Sequence, residues 1–131
     1  MDATPLTQVS VLVVEDHDDT RQLTQFILLD AGALVQTAAS AAEARTLLEL
    51  SVPDVVLLDL DLPGEDGYAL LASIRSRATP KRVAVIAATA HVSAADRARA
   101  LSAGCDAFLA KPFAPQHLVN LIASLAPREW R

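Results

Sequence analysis

The chain has 131 residues, 52% of them hydrophobic and 21% charged, a composition that fits one domain with a full core and argues against extensive disorder. A formal charge of -5 leaves no broad basic surface, which argues against direct nucleic-acid binding and against anionic membrane surfaces. Cys105 is the single cysteine, so an internal disulfide and a cysteine-built zinc site are excluded.

The start "MDATPLTQVS" has neither a basic nor an apolar leader region, and no apolar run reaches about 18 residues, so a cytoplasmic setting is expected. In chain order, strands are predicted over residues 9–14, 33–38, 54–60, 83–88 and 107–110, and helices over 19–31, 41–50, 67–77, 94–103 and 115–126. The helix ends carry physical markers. Ser40 with Glu43 reads as a capping box and Ser93 with Asp96 as a second one; Gly32 and Gly104 read as left-handed stops, and Pro115 as a first-turn residue. Asp18 and Asp19 read as a cap or loop charges ahead of the first helix. The last helix repeats Leu118, Leu121, Ile122 and Leu125, a stripe that covers a sheet face. Strict alternation of strand and helix predicts parallel strands with right-handed crossovers. The expected fold is a doubly wound (βα)5 sandwich of flavodoxin-like α/β class, one domain over 1–131 with its core at 9–126.

In such a sheet, ligands bind beyond the carboxyl ends of the strands, where the strand order reverses. The polar residues gather there. The first strand ends in Glu15 and Asp16, the third in Asp59 and Asp61, the fourth in Thr89 and the fifth in Lys111. Two unit charges about 4 Å apart interact by roughly 4 kcal/mol at an effective dielectric of 20, so clustered carboxylates need a counter-charge. Hard oxygen donors without cysteine point to Mg2+ or a similar cation. A hydroxyl and an ammonium suit an anion beside it. Together these imply a metal and a phosphoryl group, with one carboxylate as the nucleophile that forms an acyl phosphate.

The motifs "VVEDHDD", "LLDLDLPGEDG", "AATAH", "AGCDAF" and "AKPF" occur in the order found in receiver domains of two-component response regulators, and from Val9 to about Ala126 the chain resembles that family. The resemblance implies a phosphorylation-controlled switch rather than a turnover enzyme. It implies Asp59 as phosphoacceptor and metal ligand, Asp16 as a direct ligand, Glu15 acting through water, and the backbone carbonyl of Asp61 completing the shell. The metal would be Mg2+, with Mn2+ the alternative. Thr89 maps to the switch hydroxyl, Lys111 to the lysine that pairs with the phosphoryl group, and Pro112 to the proline after a cis peptide. The implied partners are a histidine kinase or histidine phosphotransfer protein and a downstream protein, with a monomer or a phosphorylation-dependent dimer. No output domain is visible.

Two departures qualify the resemblance. Many relatives carry a tyrosine three residues before the lysine; here that position is Phe108, so any switch works by packing, the ring rotating inward as Thr89 moves. Asp61 and His91 occupy the variable positions that tune the lifetime of the acyl phosphate in the family. On the first helix, if Thr20, Leu23, Ile27 and Ala31 face the sheet, Phe26 and Leu29 point outward, and this surface with Pro112 and Phe113 is the expected docking region. Two alternatives share part of the pattern. One is a haloacid dehalogenase-like phosphatase, on the strength of Asp59-Leu60-Asp61; there the pair normally follows the first strand, not the third. The other is a receiver-like interaction module that is never phosphorylated.

Overall fold

The apolar run that precedes Asp59 forms the centre of the molecule. The computed structural model describes residues 4–62, 67–77 and 81–126. Its elements are β1 (Ser10–Val14), α1 (Asp18–Asp30), β2 (Leu34–Ala38), α2 (Ala41–Leu50), β3 (Val55–Asp59), α3 (Gly67–Ser76), β4 (Ala84–Thr89), α4 (Ala94–Ser102), β5 (Ala107–Ala110) and α5 (Pro115–Leu125). The strands form one parallel sheet in the order β2-β1-β3-β4-β5, so the reversal falls between β1 and β3. β3 and β4 are buried along their whole length, as expected of parallel strands covered on both faces.

Alternation along the strands divides the core in two. Leu12, Val14, Val56, Leu58, Val85 and Ala87 pack under α2, α3 and α4, whereas Val11, Val13, Val55, Leu57 and Ile86 pack under α1 and α5. Leu118 and Ile122 of α5 are fully buried as the stripe predicts, joined by Val119, while Leu121 and Leu125 sit at the margin. Among the described residues no helix is long and apolar enough to cross a membrane.

Two helix ends depart from expectation, and so does the buried face of α1. Ser93 and Asp96 make a full reciprocal box. Ser40 accepts the Glu43 N–H at 3.1 Å, but the Glu43 carboxylate takes the Ala39 N–H at 2.8 Å instead of that of Ser40, so the second box is offset by one residue. Asp18 and Asp19 are first-turn residues of α1, not caps; His17 is the N-cap and bonds nothing there with its side chain. Their charges lie at the positive end of the helix dipole. Finally, Leu23 is 59% exposed and does not face the sheet; the buried residues of α1 are Thr24 and Leu28. Gly32 and Gly104 adopt φ of 97° and 115°, so both are left-handed stops. Residues 63–66 of the "LPGEDG" run lie outside the described residues.

Candidate functional site

The register of the sheet assembles the site. Val14 pairs with Leu58, Asp59 with Ala88, and Thr89 with Ala110. Glu15, Asp59, Thr89 and Lys111 therefore emerge within about one residue of the same level, at the carboxyl edge beside the strand-order reversal. Pairs that lie up to 96 residues apart in the chain meet there.

Asp59 is 3% exposed and Glu15 is 4% exposed. Both face one ammonium: Lys111 Nζ lies 2.8 Å from Glu15 Oε1 and 3.3 Å from Asp59 Oδ2. The other Asp59 oxygen accepts the backbone N–H of Asp61 at 2.9 Å. Burial raises the Asp59 carboxyl above the ordinary range; the Asp61 N–H and Lys111 oppose it without reversing it, and the Glu15 charge adds to the rise. Burial acts the same way on Glu15, but there the hydrogen bonds from Lys111 and His17 win and the group is lowered. For Lys111, burial alone would lower the ammonium, and the bond to Glu15 with the charge of Asp59 turns the net direction upward.

Asp16 lies beside this pair. Its Oδ1 is a buried oxygen without a hydrogen-bond partner. Glu15, Asp16, His17 and Asp59 each offer one ligand atom, and these atoms all lie within 4.8 Å of one another. An orphaned buried carboxylate oxygen among hard donors fits a small divalent cation. His17 is exposed and lies beside that oxygen, with Nδ1 3.1 Å from Glu15 Oε2 and 3.4 Å from Asp16 Oδ1. Its pKa is raised, chiefly by the hydrogen bond to Glu15 and then by the charge of Asp16. Nothing in the sequence reading assigned His17 to the site; its place directly after an acidic pair is the signal that was there.

Thr89 is 2% exposed. Its hydroxyl donates to Asp61 Oδ2 at 2.8 Å and accepts the His91 N–H at 3.0 Å. By strand alternation Thr89 and Phe108 share a sheet face, and both line a cavity of about 170 Å3 with Leu60, Asp61 and Tyr68. Phe108 is already buried at 9% exposure, with the Arg97 guanidinium 4.7 Å from its ring centre. The inward motion expected of it therefore starts from a buried ring, and this cavity is the space next to it. The Lys111–Pro112 peptide is cis.

Gly67 packs against the backbone at the end of β3. A Cβ there would lie 2.9 Å from Leu60 Cα and 3.1 Å from the Asp59 carbonyl oxygen, so the start of α3 approaches the end of β3 as only glycine allows.

A parallel sandwich with buried acids, a hydroxyl and a lysine on one sheet edge is the architecture of a phosphorylation-controlled signalling domain. The chain belongs to the response regulator receiver domain family, whose model matches residues 11–123. It is 38% identical over 117 residues to a 14.6 kDa protein from the sodA1 3′ region of Leptolyngbya boryana, covering 89% of each chain. It is 36% identical over 122 residues to response regulator Rre1 of Synechocystis sp., covering 92% of this chain and 53% of Rre1. The chemotaxis response regulator CheY4 of Vibrio cholerae superposes with a TM-score of 0.84 at 28% identity, over 91% of this chain and 99% of CheY4. The chain spans about half the length of Rre1 and of the transcriptional regulators it also resembles. Receiver domains are switches of two-component signalling that are controlled by phosphorylation and generally use Mg2+ at an acidic pocket. Membership disfavours the phosphatase alternative, as does the position of Asp59-Leu60-Asp61 after β3.

Proposed function

We propose that this chain accepts a phosphoryl group on Asp59 from a phosphohistidine donor and reports the event through Thr89 and Phe108. The observation that carries the proposal is Asp59 itself: a buried carboxylate at the end of the central strand, raised in pKa and only partly neutralised by a lysine shared with Glu15. In the transfer, an Asp59 oxygen forms the bond to phosphorus as the phosphorus–nitrogen bond breaks, and the electron pair leaves with the donor imidazole, which takes up a proton. Lys111 stands 3.3 Å from Asp59 Oδ2, close enough to follow the oxygens of the incoming group. Mg2+, or Mn2+ in its place, would supply charge neutralisation at those oxygens, held by Asp16, Asp59, the Asp61 carbonyl and, through water, Glu15. The hydroxyl of Thr89 would then bond a phosphoryl oxygen, and Phe108 would repack into the cavity both residues line.

The donor's docking surface is the groove beside Lys111. It has a volume of about 580 Å3 and is lined by Leu23, Ile27, Pro112, Phe113 and Pro115, with His17 at the rim. Leu23 faces this groove and not the sheet, and joins Ile27 in the apolar surface that α1 presents here, whereas Phe26 and Leu29 lie outside it. A histidine kinase or histidine phosphotransfer protein fits it, since an apolar surface around an acidic pocket holds a protein whose histidine must reach Asp59.

The test is intact mass after incubation with Mg2+ and a small acyl phosphate. Wild type should gain one phosphate, and Asp59→Asn should gain none, a loss on the order of 10³-fold or more in labelling rate. A receiver-like module that is never phosphorylated would show no mass gain in either protein. Equal labelling of both would place the acceptor elsewhere.

A further inference from the structure

Thr89 has one hydroxyl proton, and it is committed. At 2.8 Å it is given to Asp61 Oδ2, while the hydroxyl oxygen takes the His91 N–H at 3.0 Å. Asp61 Oδ2 also faces the Ala90 N–H at 3.4 Å. The backbone N–H of Asp61, in turn, is bonded to Asp59 Oδ1 at 2.9 Å. One residue thus ties the turn after β3 to the turn after β4 across the edge of the sheet. At 2% exposure Thr89 has almost no access to bulk solvent.

The geometry points to the Asp61 carboxylate as a latch that holds Thr89 in the unphosphorylated arrangement, so that a phosphoryl oxygen on Asp59 must take the Thr89 proton from Asp61. This inference rests on the reading of Asp59 as phosphoacceptor. A ligand shifts a two-state equilibrium only by its differential affinity for the states. Here the differential is the exchange of one acceptor, a carboxylate, for another, a phosphoryl oxygen. Asp61 acts through Thr89 and is a positioning residue; its side chain is partly exposed, at 37%, and can be changed without opening the core. Substitution also leaves its backbone carbonyl in place.

The experiment is a double-mutant cycle read by NMR. The concentration of beryllofluoride, a phosphoryl mimic, that half-converts the α4 amides and the Phe108 ring is measured at saturating Mg2+. Wild type, Asp61→Ala, Thr89→Ala and the double variant are compared. Asp61→Ala should lower that concentration about tenfold when Thr89 is present, the worth of one charge-assisted hydrogen bond, and by less than about twofold in the Thr89→Ala background. Asp61→Asn, which keeps a weaker neutral acceptor, should fall between wild type and Asp61→Ala. If Asp61→Ala shifts the midpoint equally in both backgrounds, or Asp61→Asn matches Asp61→Ala, the side chain acts through its charge alone and the latch is refuted. If wild type shows no beryllofluoride-dependent change at all, the phosphoacceptor reading falls and the latch falls with it.

Discussion

Both ends of β3 carry an aspartate, and the two differ in their surroundings. Asp54, just before the strand, has a full set of partners. Its Oδ2 accepts the Ser10 N–H at 2.9 Å and the Ser10 hydroxyl at 3.2 Å, and its Oδ1 meets Lys81 Nζ at 2.7 Å. Burial pushes its pKa up, but these bonds outweigh it and the net direction is down. Asp59, the last residue of the strand, has one backbone N–H and a lysine shared with Glu15, and its net direction is up. Asp106 repeats the Asp54 pattern at the same end of the sheet: Arg75 at 2.7 Å and the Val85 N–H at 2.8 Å bond one oxygen, and Arg82 pairs with the other. A strand-end carboxylate is therefore not a site by virtue of position. Asp54 and Asp106 are fully partnered within the fold, whereas Asp59 is left under-neutralised, which supports its proposed role as phosphoacceptor.

The largest loss of stability is expected at Asp54. Asp54→Ala removes a charged acceptor and leaves the Ser10 N–H without this bond, at a cost of about 3 kcal/mol. Thermal unfolding should show a loss of about 10 °C in Tm, while the labelling of Asp59 at a temperature where the variant is folded stays at wild-type rate. A normal Tm would mean that the Asp54 network contributes nothing net, and the contrast between the two ends would disappear.

A smaller effect is expected where the site is crowded. Gly67→Ala forces the end of β3 or the start of α3 to move, because the new Cβ meets backbone atoms at 2.9 and 3.1 Å. Overpacking costs about 1–3 kcal/mol, and because Gly67 is the first residue of α3 the better interior helix propensity of alanine offsets little of it. The functional consequence should exceed the stability loss, since the atoms displaced belong to Asp59 and Leu60. Unchanged phosphorylation in a folded Gly67→Ala protein would show that the position of this backbone is not critical.

Most of the fold was legible because parallel strands between covering helices leave long apolar runs, and all ten elements lie within one residue of their expected bounds at each end. The gathering of Glu15, Asp16, Asp59, Thr89 and Lys111 was legible for the same reason: once the strands are parallel, their carboxyl ends share an edge. Leu23 was misread because helical periodicity fixes angles between residues but not the direction of the first one, and the buried arc runs through Thr24 and Leu28 instead. The partners of Asp54 and Asp106 were invisible because they are set by tertiary packing, by strand pairing for Ser10, 44 residues away, and by the seating of α3 for Arg75, 31 residues away. The bond from Thr89 to the Asp61 side chain spans 28 residues; the resemblance supplied a role for the Asp61 backbone and marked the residue as a variable position that tunes the acyl phosphate, and only the packing of two turns shows where its carboxylate goes.

The two ends of β3 should also differ in the pH dependence of stability, by the smallest of these effects. For Asp59 the folded pKa lies above the unfolded one, so the folded state binds the proton more tightly. Its ionised form therefore weakens the fold at every pH above the folded pKa, and the penalty fades as pH falls through that value toward the unfolded one. Asp59→Asn removes the charge and keeps the shape. At neutral pH it should raise stability, because burial chiefly, with the Glu15 charge, disfavours the ionised carboxyl, and below the ordinary carboxylate range it should match wild type. Asp54 has the opposite sign: its folded pKa is lowered, so its contribution is present above the unfolded pKa and is lost as pH falls through the folded value. Denaturant unfolding of wild type, Asp59→Asn and Asp54→Asn across the acid range separates the two. The Asp59→Asn gain should close on acidification, while the Asp54→Asn deficit closes too, from the other side of wild type. An Asp59→Asn protein less stable than wild type at neutral pH would mean that Lys111 fully neutralises Asp59, and the distinction between the two ends of β3 would then be one of position alone.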